Sequence, residues 1–461
     1  MKSILSGTIA AIATGQAAGG IGVVRISGED ALAVADRVFV AADGLPLAQS
    51  VGYRAHFGRI DHEGFTDDAV ALVFRAPHSY TGEDVVEISC HGGLYTTRMA
   101  LRACITAGAR LADKGEFTRR AFENGKLSLT QAEAVMSIIA AQGRQSSVAA
   151  HSAHDGALAA EIDRLCGELR SIAARIAAWC DFPDEDDVPE VQSDGIVADL
   201  RSVAARLGEL VRGGEAYALC DGIDTVICGK PNVGKSTLMN LLAGCEKSIV
   251  TDIPGTTRDI VEHQVRLGDC ILRLSDTAGL RDSDDIIENI GVERTRHRIG
   301  NAALIIAVFD GAKPLDDDDR RLIDLLCGDG GEDRPCVAVI NKSDLPAVID
   351  AQLIEQRFAH CVYISAANND GVEALERAVM QVTGIEQLDA ASAVIINERQ
   401  LDCARRALRS VEDAIRDADV VTLDAVNLSV YDAVAALTEL TGDSAAEDIV
   451  SEIFSHFCIG K

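Results

Sequence analysis

The stretch Gly229-Lys230-Pro231-Asn232-Val233-Gly234-Lys235-Ser236-Thr237 decides the fold of this chain. Its spacing, a glycine, four residues and then Gly-Lys-Ser, is that of a phosphate-binding P-loop. A glycine-containing turn lets successive backbone N–H groups point at phosphate oxygens, and the following helix adds its positive end. Thr225 to Cys228 has the apolar pattern of a strand, and Ser236 to Leu242 that of a helix. We therefore predict that Lys235 binds nucleotide phosphates and that Ser236 binds Mg²⁺.

Three further motifs follow predicted strands. Asp276-Thr277-Ala278-Gly279 follows the strand Cys270 to Leu274, Asn341-Lys342-Ser343-Asp344 follows Cys336 to Ile340, and Ser365-Ala366 follows Cys361 to Ile364. The carboxylate of Asp344 can accept two hydrogen bonds from a guanine edge, and adenine lacks the matching donors, so the site favours GTP over ATP. Since open α/β sheets bind ligands at the carboxyl ends of their strands, the four motifs predict a GTPase domain with a Ras-like, doubly wound parallel sheet.

Composition limits the remaining possibilities. The chain has 461 residues, enough for about three domains. Its net charge of −29 argues against a protein-wide nucleic-acid surface, so any contact with RNA is expected to be local or supplied by a partner. The thirteen scattered cysteines contain no Cys-x-x-Cys pair, which is typical of reduced thiols. No apolar run approaches the ~18 residues of a membrane span, and we expect a cytoplasmic protein without a membrane contact.

Four segments are expected along the chain. Residues 1–122 mix strands and helices without strict alternation, which indicates an α+β domain. Residues 123–216 and 384–461 have helical periodicity, and they flank the GTPase domain expected at 217–383. One helical bundle built from two chain segments, with the GTPase domain inserted between them, is the simplest arrangement. We expect the first helical segment to end near Arg212-Gly213-Gly214.

Polar residues in the first segment suggest a site but do not identify a ligand. Arg25 lies on an otherwise apolar strand, where a charge must be paired or bound. Glu87 alternates with apolar neighbours, and the pattern leaves open whether it faces solvent or a pocket. Lys126 follows a helix-stop signal and is typical of a solvated helix end. His91 is more typical of a turn with a paired imidazole than of a metal ligand.

Hydrolysis cannot use the residue that orients water in Ras-like enzymes, a glutamine after the Asp-x-x-Gly motif. Leu280 stands there in this chain. The following segment offers several acidic residues that could orient water, namely Asp282, Asp284, Asp285, Glu288 and Glu293. Gly255-Thr256-Thr257-Arg258-Asp259 stands where a first switch is expected, and either threonine can close on Mg²⁺.

Short motifs outside the GTPase domain occur along the whole chain, namely Val24-Arg25-Ile26-Ser27-Gly28, Thr81-Gly82-Glu83-Asp84, His91-Gly92-Gly93, Gly115-Glu116-Phe117, Gln131-Ala132-Glu133-Ala134, Asp181-Phe182-Pro183 and Phe457-Cys458-Ile459-Gly460-Lys461. Together with the GTPase motifs, they resemble those of the MnmE (TrmE) family of tRNA modification GTPases. The resemblance implies a homodimer that works with an MnmG (GidA) flavoprotein on tRNA. Together they add a carboxymethylaminomethyl-type group to carbon 5 of the wobble uridine. The one-carbon unit would come from 5-formyl- or 5,10-methylene-tetrahydrofolate bound by the first domain, which also dimerises.

The same resemblance implies residue roles by position. Folate contacts fall to Arg25, Glu87, Lys126 and Lys461, Mg²⁺ to Ser236 and Thr257, and K⁺ to Asn232, Thr251, Ile253 and Thr256. The K⁺ ion would replace an arginine finger, Glu288 would orient water, and pairing of GTPase domains would activate hydrolysis. The full GTP-binding set is Asn232, Val233, Gly234, Lys235, Ser236, Thr237, Thr251, Asp252, Ile253, Pro254, Gly255, Thr256, Thr257, Asp276, Thr277, Ala278, Gly279, Asn341, Lys342, Ser343, Asp344, Ser365 and Ala366.

Two questions stay open. Cys458 could be a prenylation site or a thiol acting on uracil, but we favour a small residue that places Lys461 near the folate. The alternative function is a regulatory GTPase of ribosome assembly without a folate-dependent activity. Such a protein would not need the folate residues or the C-terminal Cys-Ile-Gly-Lys.

Overall fold

The computed structural model describes residues 7–15, 17–141, 143–181, 193–220, 222–244, 263–268, 270–274, 302–327, 335–387, 389, 392–442 and 446–461. The chain divides into two compact units. The first comprises Met1–Met136, His154–Gly167 and Val434–Lys461, and the second Ser137–Ala153 and Glu168–Ala433.

A seven-stranded sheet forms the core of the first unit. Its strands are β1 (Ile9–Ile12), β2 (Ile21–Ser27), β3 (Phe39–Ala41), β4 (Arg54–His62), β5 (Phe65–Phe74), β6 (Val85–His91) and β7 (Arg110–Leu111). Their spatial order is β3-β4-β5-β6-β2-β1-β7, and every pairing is antiparallel except that of β1 with β7. The α+β character predicted for this region is confirmed.

Helices make up most of the rest of the described chain. They are α1 (Ala31–Val38), α2 (Leu94–Thr106), α3 (Glu116–Glu123), α4 (Leu129–Ala140), α5 (Arg144–His154), α6 (Ala157–Asp181), α7 (Ser193–Cys220), α8 (Lys235–Gly244), α9 (Asp317–Cys327), α10 (Ala351–Arg357), α11 (Val372–Val382), α12 (Glu398–Asp417), α13 (Leu423–Thr441) and α14 (Glu447–Ser455). The helical regions predicted on both sides of the GTPase motifs are therefore confirmed.

Strand alternation gives the first sheet two different faces. Ala10, Val24 and Ile26 lie in the core that packs beneath α1 and α2. Arg25 stands between Val24 and Ile26, so its side chain projects from the opposite face. There it meets Phe117 of α3. The one charged position on this strand thus points away from the main core.

Helix α7 continues through Arg212-Gly213-Gly214 to Cys220, so the helix end expected there is wrong. A Cβ at Gly214 would lie 2.8 Å from the Cβ of Ile395 and 3.2 Å from Cδ1 of Leu401. The glycine permits close packing against the segment that leads into α12; it does not stop the helix. Because α7 packs along α12, helices from before and after the GTPase motifs join in one bundle.

The first unit shows the same joining of distant segments. Leu129 of α4 packs with Val450 and Phe454 of α14 in one apolar cluster. In each unit, therefore, helices from before and after the GTPase motifs pack together, as the sequence predicted.

The second unit contains a six-stranded sheet. Its strands are β8 (Ile223–Cys228), β9 (His263–Leu267), β10 (Cys270–Leu274), β11 (Leu304–Asp310), β12 (Cys336–Asn341) and β13 (Cys361–Ile364). They lie in the order β13-β12-β11-β8-β10-β9, and β9 is antiparallel to β10 while the other neighbours are parallel. The chain passes from β10 to the other side of β8 to form β11. This reversal places the loop after β8 at a topological switch point, where such sheets bind ligands. The Ras-like, doubly wound fold is confirmed.

In the part of the chain that the structure describes, none of the helices combines the length and the apolar character that crossing a membrane requires. Among the same residues, no group of three or more His, Cys, Asp or Glu side chains could hold a metal ion.

Candidate functional site

The P-loop turns sharply between β8 and α8, and two glycines make this turn possible. Gly229 has φ +146°, and a Cβ there would lie 2.4 Å from the carbonyl oxygen of Val308 on β11. Gly234 has φ +98°, and its Cβ would lie 2.2 Å from Nδ2 of Asn341. Only glycine allows both the backbone conformation and the close approach. The loop is thereby held open as a cradle whose N–H groups can face an anion.

Lys235 lies across this cradle. Its Nζ donates hydrogen bonds of 2.8 Å to the carbonyl oxygens of Gly229 and Lys230. Burial lowers the pKa of Lys235, because desolvation disfavours the charged ammonium. A bound phosphate would stabilise the ammonium and oppose this effect, so the lysine is suited to an anionic ligand.

The predicted guanine-reading residues are tied to the P-loop. Nδ2 of Asn341 donates to the carbonyl oxygen of Val233 at 2.8 Å, and its Oδ1 accepts the N–H of Ala366 at 3.1 Å. Ser365 donates through Oγ to Asp344 at 2.6 Å. The loops after β8, β12 and β13, which are far apart in sequence, therefore meet around Asn341.

Asp310, at the end of β11, is a site residue that the sequence motifs did not reveal. Its carboxylate is 1% exposed and accepts from Nζ of Lys342 at 2.6 Å, while Lys342 also donates to the carbonyl oxygen of Asn232 at 3.1 Å. Burial alone would raise the pKa of Asp310. The Lys342 ammonium and the N–H of Ala312 outweigh it and hold the pKa below its usual value. The sequence signal that could have identified Asp310 is an acidic residue at the end of an otherwise apolar strand.

A cavity of about 820 Å³ opens beside these loops, between α8, the loop after β13 and α11. Its lining includes Thr237 and Ala366, both predicted to contact GTP, together with Asn240, Leu241 and Arg377. This volume is in the range of small-molecule sites. The space for a ligand therefore adjoins both the P-loop helix and the predicted base-binding loop.

A second polar site lies in the first unit, where β2 and β6 pair. Nε of Arg25 donates to Oε1 of Glu87 at 2.8 Å, and its Nη1 donates to the carbonyl oxygen of Gly460 at 3.2 Å. The guanidinium carbon lies 5.6 Å from the ring centroids of both Tyr80 and Phe117. Arg25 and Glu87 are 16% and 25% exposed. Glu87 therefore faces a lined, half-buried site, which answers the question that the sequence left open.

The segment Cys458–Lys461 closes one side of this site. The N–H of Gly115 donates to the carbonyl oxygen of Cys458 at 3.4 Å, and that of Phe117 donates to the oxygen of Lys461 at 3.1 Å. Gly460 has φ +96°, and a Cβ there would lie 2.3 Å from the carbonyl oxygen of Ile12. The tail therefore reaches Arg25 through backbone groups, and its course depends on Gly460.

Two family models and a set of curated relatives match this chain. Residues 129–458 match the family model described as the MnmE helical domain, and residues 8–126 match that of the GTP-binding protein TrmE N-terminus. The chain is 43% identical over 463 residues to the tRNA modification GTPase MnmE of Symbiobacterium thermophilum, covering 98% of this chain and 99% of the relative. The chain belongs to the MnmE family of tRNA modification GTPases.

Two other MnmE relatives match the chain over the same share of its length. The MnmE proteins of Geobacter sulfurreducens and Acetivibrio thermocellus are 39% and 37% identical over 467 and 462 residues, with 98% of this chain and 99% of each relative covered. Among solved structures, the G domain of the T. maritima FeoB iron transporter is 22% identical. It covers 35% of this chain and 98% of its own, with a TM-score of 0.27. The GTPase class and the MnmE resemblance predicted from the sequence are confirmed by the curated relatives and the family models.

In this MnmE-family chain, buried charges position the aromatic wall of the Arg25 site. Glu116, 1% exposed, accepts from Nη1 of Arg110 at 2.8 Å and from Nη2 of Arg120 at 3.0 Å. Burial alone would raise the pKa of Glu116, but the hydrogen bonds from Arg110 and other donors lower it overall. The same turn of α3 carries Thr118, whose hydroxyl forms a hydrogen bond of 2.8 Å with that of Tyr80. Neither aromatic ring was identified as a site residue from the sequence.

The other polar residues singled out in the first segment pair with groups other than Arg25 and Glu87. Lys126 is exposed and donates through Nζ to the carbonyl oxygen of Pro77 at 3.0 Å, on the loop that also carries Tyr80. His91 pairs with Asp67 at 2.7 Å, as expected of a turn with a paired imidazole.

Several predicted MnmE-type residues lie outside the described residues. They are 251–257 of the first switch, 276–279 of the Asp-x-x-Gly motif, and Glu288. Of the four predicted K⁺ ligands, the structure describes Asn232 alone. It has φ +64°, an unusual conformation that asparagine tolerates better than most residues.

Proposed function

We propose that this chain is a homodimeric, cytoplasmic, K⁺-dependent GTPase acting with an MnmG-type flavoprotein on tRNA. Together they would add a carboxymethylaminomethyl-type group to carbon 5 of the wobble uridine. The single observation that carries the proposal is the Arg25–Glu87 pair set between two aromatic rings and closed by the C-terminal tail. A regulatory GTPase of ribosome assembly, the alternative, would not need such a site.

The domain division follows the same proposal. Residues 1–122 form a folate-binding and dimerisation domain, 217–383 form the GTPase domain, and 123–216 and 384–461 supply the helices.

The second unit supports the binding of GTP and Mg²⁺. Gly229 and Gly234 leave room that a Cβ would fill, and this opens a cradle for phosphate groups. Ser236, in the first turn of α8, would bind Mg²⁺ together with Thr257. When bound, the metal would offset the negative charge of the phosphates. K⁺ would be held by Asn232, Thr251, Ile253 and Thr256, and Glu288 would orient the water.

The first unit offers a donor set that fits tetrahydrofolate. The flat ring of a pterin can lie against Tyr80 or Phe117, and a carboxylate such as that of Glu87 can accept hydrogen bonds from its N–H edge. The cations Lys126 and Lys461 suit the carboxylates of the glutamate tail. When bound, 5-formyl- or 5,10-methylene-tetrahydrofolate would supply the one-carbon unit. Cys458, which is exposed beside this site, would place Lys461.

Replacing Arg25 by glutamine tests the folate proposal. We expect the affinity for 5-formyl-tetrahydrofolate, measured by isothermal titration calorimetry, to fall by about tenfold, since a desolvated charge contact is worth about 1.5–3 kcal/mol. GTP turnover should not change. Arg59→Gln is the matched control, because Arg59 pairs with Asp61 on the same sheet but is 60% exposed. Equal binding by wild type and Arg25→Gln would contradict the folate site.

Potassium dependence tests the hydrolytic part of the proposal. We expect GTP turnover to be about tenfold slower in NaCl than in KCl, because a cation fixed near the phosphates stabilises the developing charge. Glu288→Ala should slow turnover in KCl to a similar extent by removing the group that orients water. A slow rate that ignores the cation would favour the regulatory alternative.

A further inference from the structure

We propose that Lys230 is a positioning residue for GTP hydrolysis. Its side chain anchors the P-loop to the start of α9, so that its backbone carbonyl can hold Lys235 in place for the phosphates. The inference rests on the GTPase activity of the family and is independent of the folate proposal. Lys230 is the first of the four residues between the two glycines of the P-loop spacing, and the motif prescribes no residue type at this position.

The anchor is an ion pair with two carboxylates. Nζ of Lys230 lies 2.7 Å from Oδ2 of Asp316 and 2.6 Å from Oδ2 of Asp319. The side chain of Lys230 is 15% exposed and that of Asp319 only 4%. Exposed ion pairs contribute little, but removing one partner of a buried pair leaves an uncompensated charge. This pair therefore constrains the loop.

The carboxylates are themselves fixed by backbone N–H groups at the start of α9. Oδ1 of Asp316 accepts the N–H groups of Asp318 and Asp319 at 3.2 and 3.1 Å, and Oδ2 of Asp319 accepts the N–H of Asp316 at 3.2 Å. This reciprocal arrangement caps the helix. The hydrogen bond from Lys230 is the main cause that lowers the pKa of Asp316 to about 2, so this carboxylate is ionised at neutral pH.

Helix α9 is in turn anchored to the sheet. Ile323, one turn along the helix, is 2% exposed and belongs to the same apolar cluster as Phe309 of β11. The carboxylates that hold Lys230 are thus fixed relative to the core of this unit, and the loop is fixed through them.

The link from the anchor to Lys235 runs through one residue. Lys235 donates to the carbonyl oxygen of Lys230 at 2.8 Å, while the side chain of Lys230 is held by α9. Pro231 follows directly, and a residue before proline is restricted to extended conformations. The carbonyl of Lys230 therefore has little freedom to rotate, and its position follows that of the loop as a whole. Without the anchor the loop can shift, and Lys235 would then lose one of its two carbonyl acceptors.

A purely structural ion pair and a positioning pair predict different results. Lys235 is expected to bind the β- and γ-phosphates, so a misplaced Lys235 weakens binding of a GTP analogue more than binding of GDP. It also lowers the hydrolysis rate at saturating GTP, because charge develops on these groups in the transition state. A general loss of order in the domain would weaken the binding of both nucleotides equally.

The experiment compares single variants at Lys230, Arg321 and Asp319, and one double variant, with wild type, all in the full chain. Lys230→Met keeps most of the side chain and removes the charge, and Lys230→Arg restores it. Arg321→Met is the control, since Arg321 pairs with Asp318 on the same helix at 3.3 Å but is 80% exposed. We measure single-turnover hydrolysis at saturating GTP, the affinities for a non-hydrolysable GTP analogue and for GDP, and the melting temperature.

We expect Lys230→Met to hydrolyse GTP about tenfold more slowly and to lose about tenfold of its preference for the GTP analogue over GDP. Lys230→Arg and Arg321→Met should stay within about threefold of wild type. Asp319→Asn, which keeps the shape of the cap, should show the same loss of hydrolysis rate. The double variant with Lys230→Met should lose no more activity than either single variant.

A Lys230→Met protein with the wild-type hydrolysis rate, or with equal losses of affinity for both nucleotides, would overturn the proposal. If Lys230→Met does not fold, Asp319→Asn takes its place: a wild-type hydrolysis rate for Asp319→Asn would also overturn the proposal.

Discussion

Replacing Gly234 by alanine is expected to lower the affinity for GTP by about 100-fold. The new Cβ would lie 2.2 Å from Nδ2 of Asn341, and the backbone has φ +98°, where side chains are strained. Overpacking costs about 1–3 kcal/mol, and a left-handed conformation costs about 1–2 kcal/mol for a non-glycine residue. Together these approach ~3 kcal/mol, or about 100-fold in affinity.

The loss has a specific structural cause. Asn341 cannot retreat without giving up its bonds to Val233 and Ala366, so the P-loop must open instead. The N–H groups of the loop then no longer converge on one anion. Binding of a fluorescent GTP analogue measures the effect directly.

Gly167→Ala provides the matched control. Gly167 lies within α6, and a Cβ there meets nothing within 4 Å. The same chemical change should leave GTP affinity untouched and stabilise the helix by about 0.5–1 kcal/mol. If Gly234→Ala bound GTP within threefold of wild type, the close approach of Asn341 would not constrain the loop.

Motifs that are short and local could be predicted from the sequence, because their spacing itself determines the geometry. The strands Cys270–Leu274 and Cys361–Ile364 were predicted with the bounds that the structure shows. Each ends where a polar motif begins, so the turn from apolar to polar residues defines both the strand and the site. The P-loop could be identified with more certainty still, because few other structures require its spacing of glycines.

Contacts between distant segments could not be predicted in this way. Arg25 and Gly460 are 435 positions apart, and only the family resemblance suggested that the tail approaches this site. Tyr80 lies in a loop and Phe117 in a helix of only eight residues, and neither segment is long enough for a periodic signal to mark one aromatic residue as part of a site. Their place beside Arg25 follows from the sheet register and from the buried charges around Glu116.

The error at Arg212-Gly213-Gly214 has a different physical origin. Adjacent glycines usually indicate a helix end, because glycine is the preferred residue beyond it. At Gly214 the absence of a side chain serves packing against Ile395 and Leu401. Tertiary contact therefore outweighs local propensity there, and the helix continues to Cys220.

Gly460→Ala is expected to abolish tRNA modification while GTP turnover stays near that of the wild type. A Cβ at Gly460 would lie 2.3 Å from the carbonyl oxygen of Ile12, an atom of the paired strand β1 that cannot move aside. The tail must therefore leave its place. Arg25 then loses the carbonyl of Gly460, and Lys461 loses its hydrogen bond from Phe117.

The P-loop and the guanine-reading loops belong to the second unit, whereas both hydrogen bonds that Gly460→Ala breaks lie within the first. Modification is measured by mass spectrometry of tRNA nucleosides after incubation with the flavoprotein partner, and GTP turnover by phosphate release. Gly64→Ala is the matched control: Gly64 also has a positive φ, of +82°, but a Cβ there meets nothing within 4 Å. The Gly64→Ala variant therefore has similar backbone strain but no steric overlap of the new Cβ with a neighbouring atom. Full modification by Gly460→Ala would show that the seated tail is not part of the modification site, whereas loss in both variants would trace the effect to backbone strain alone.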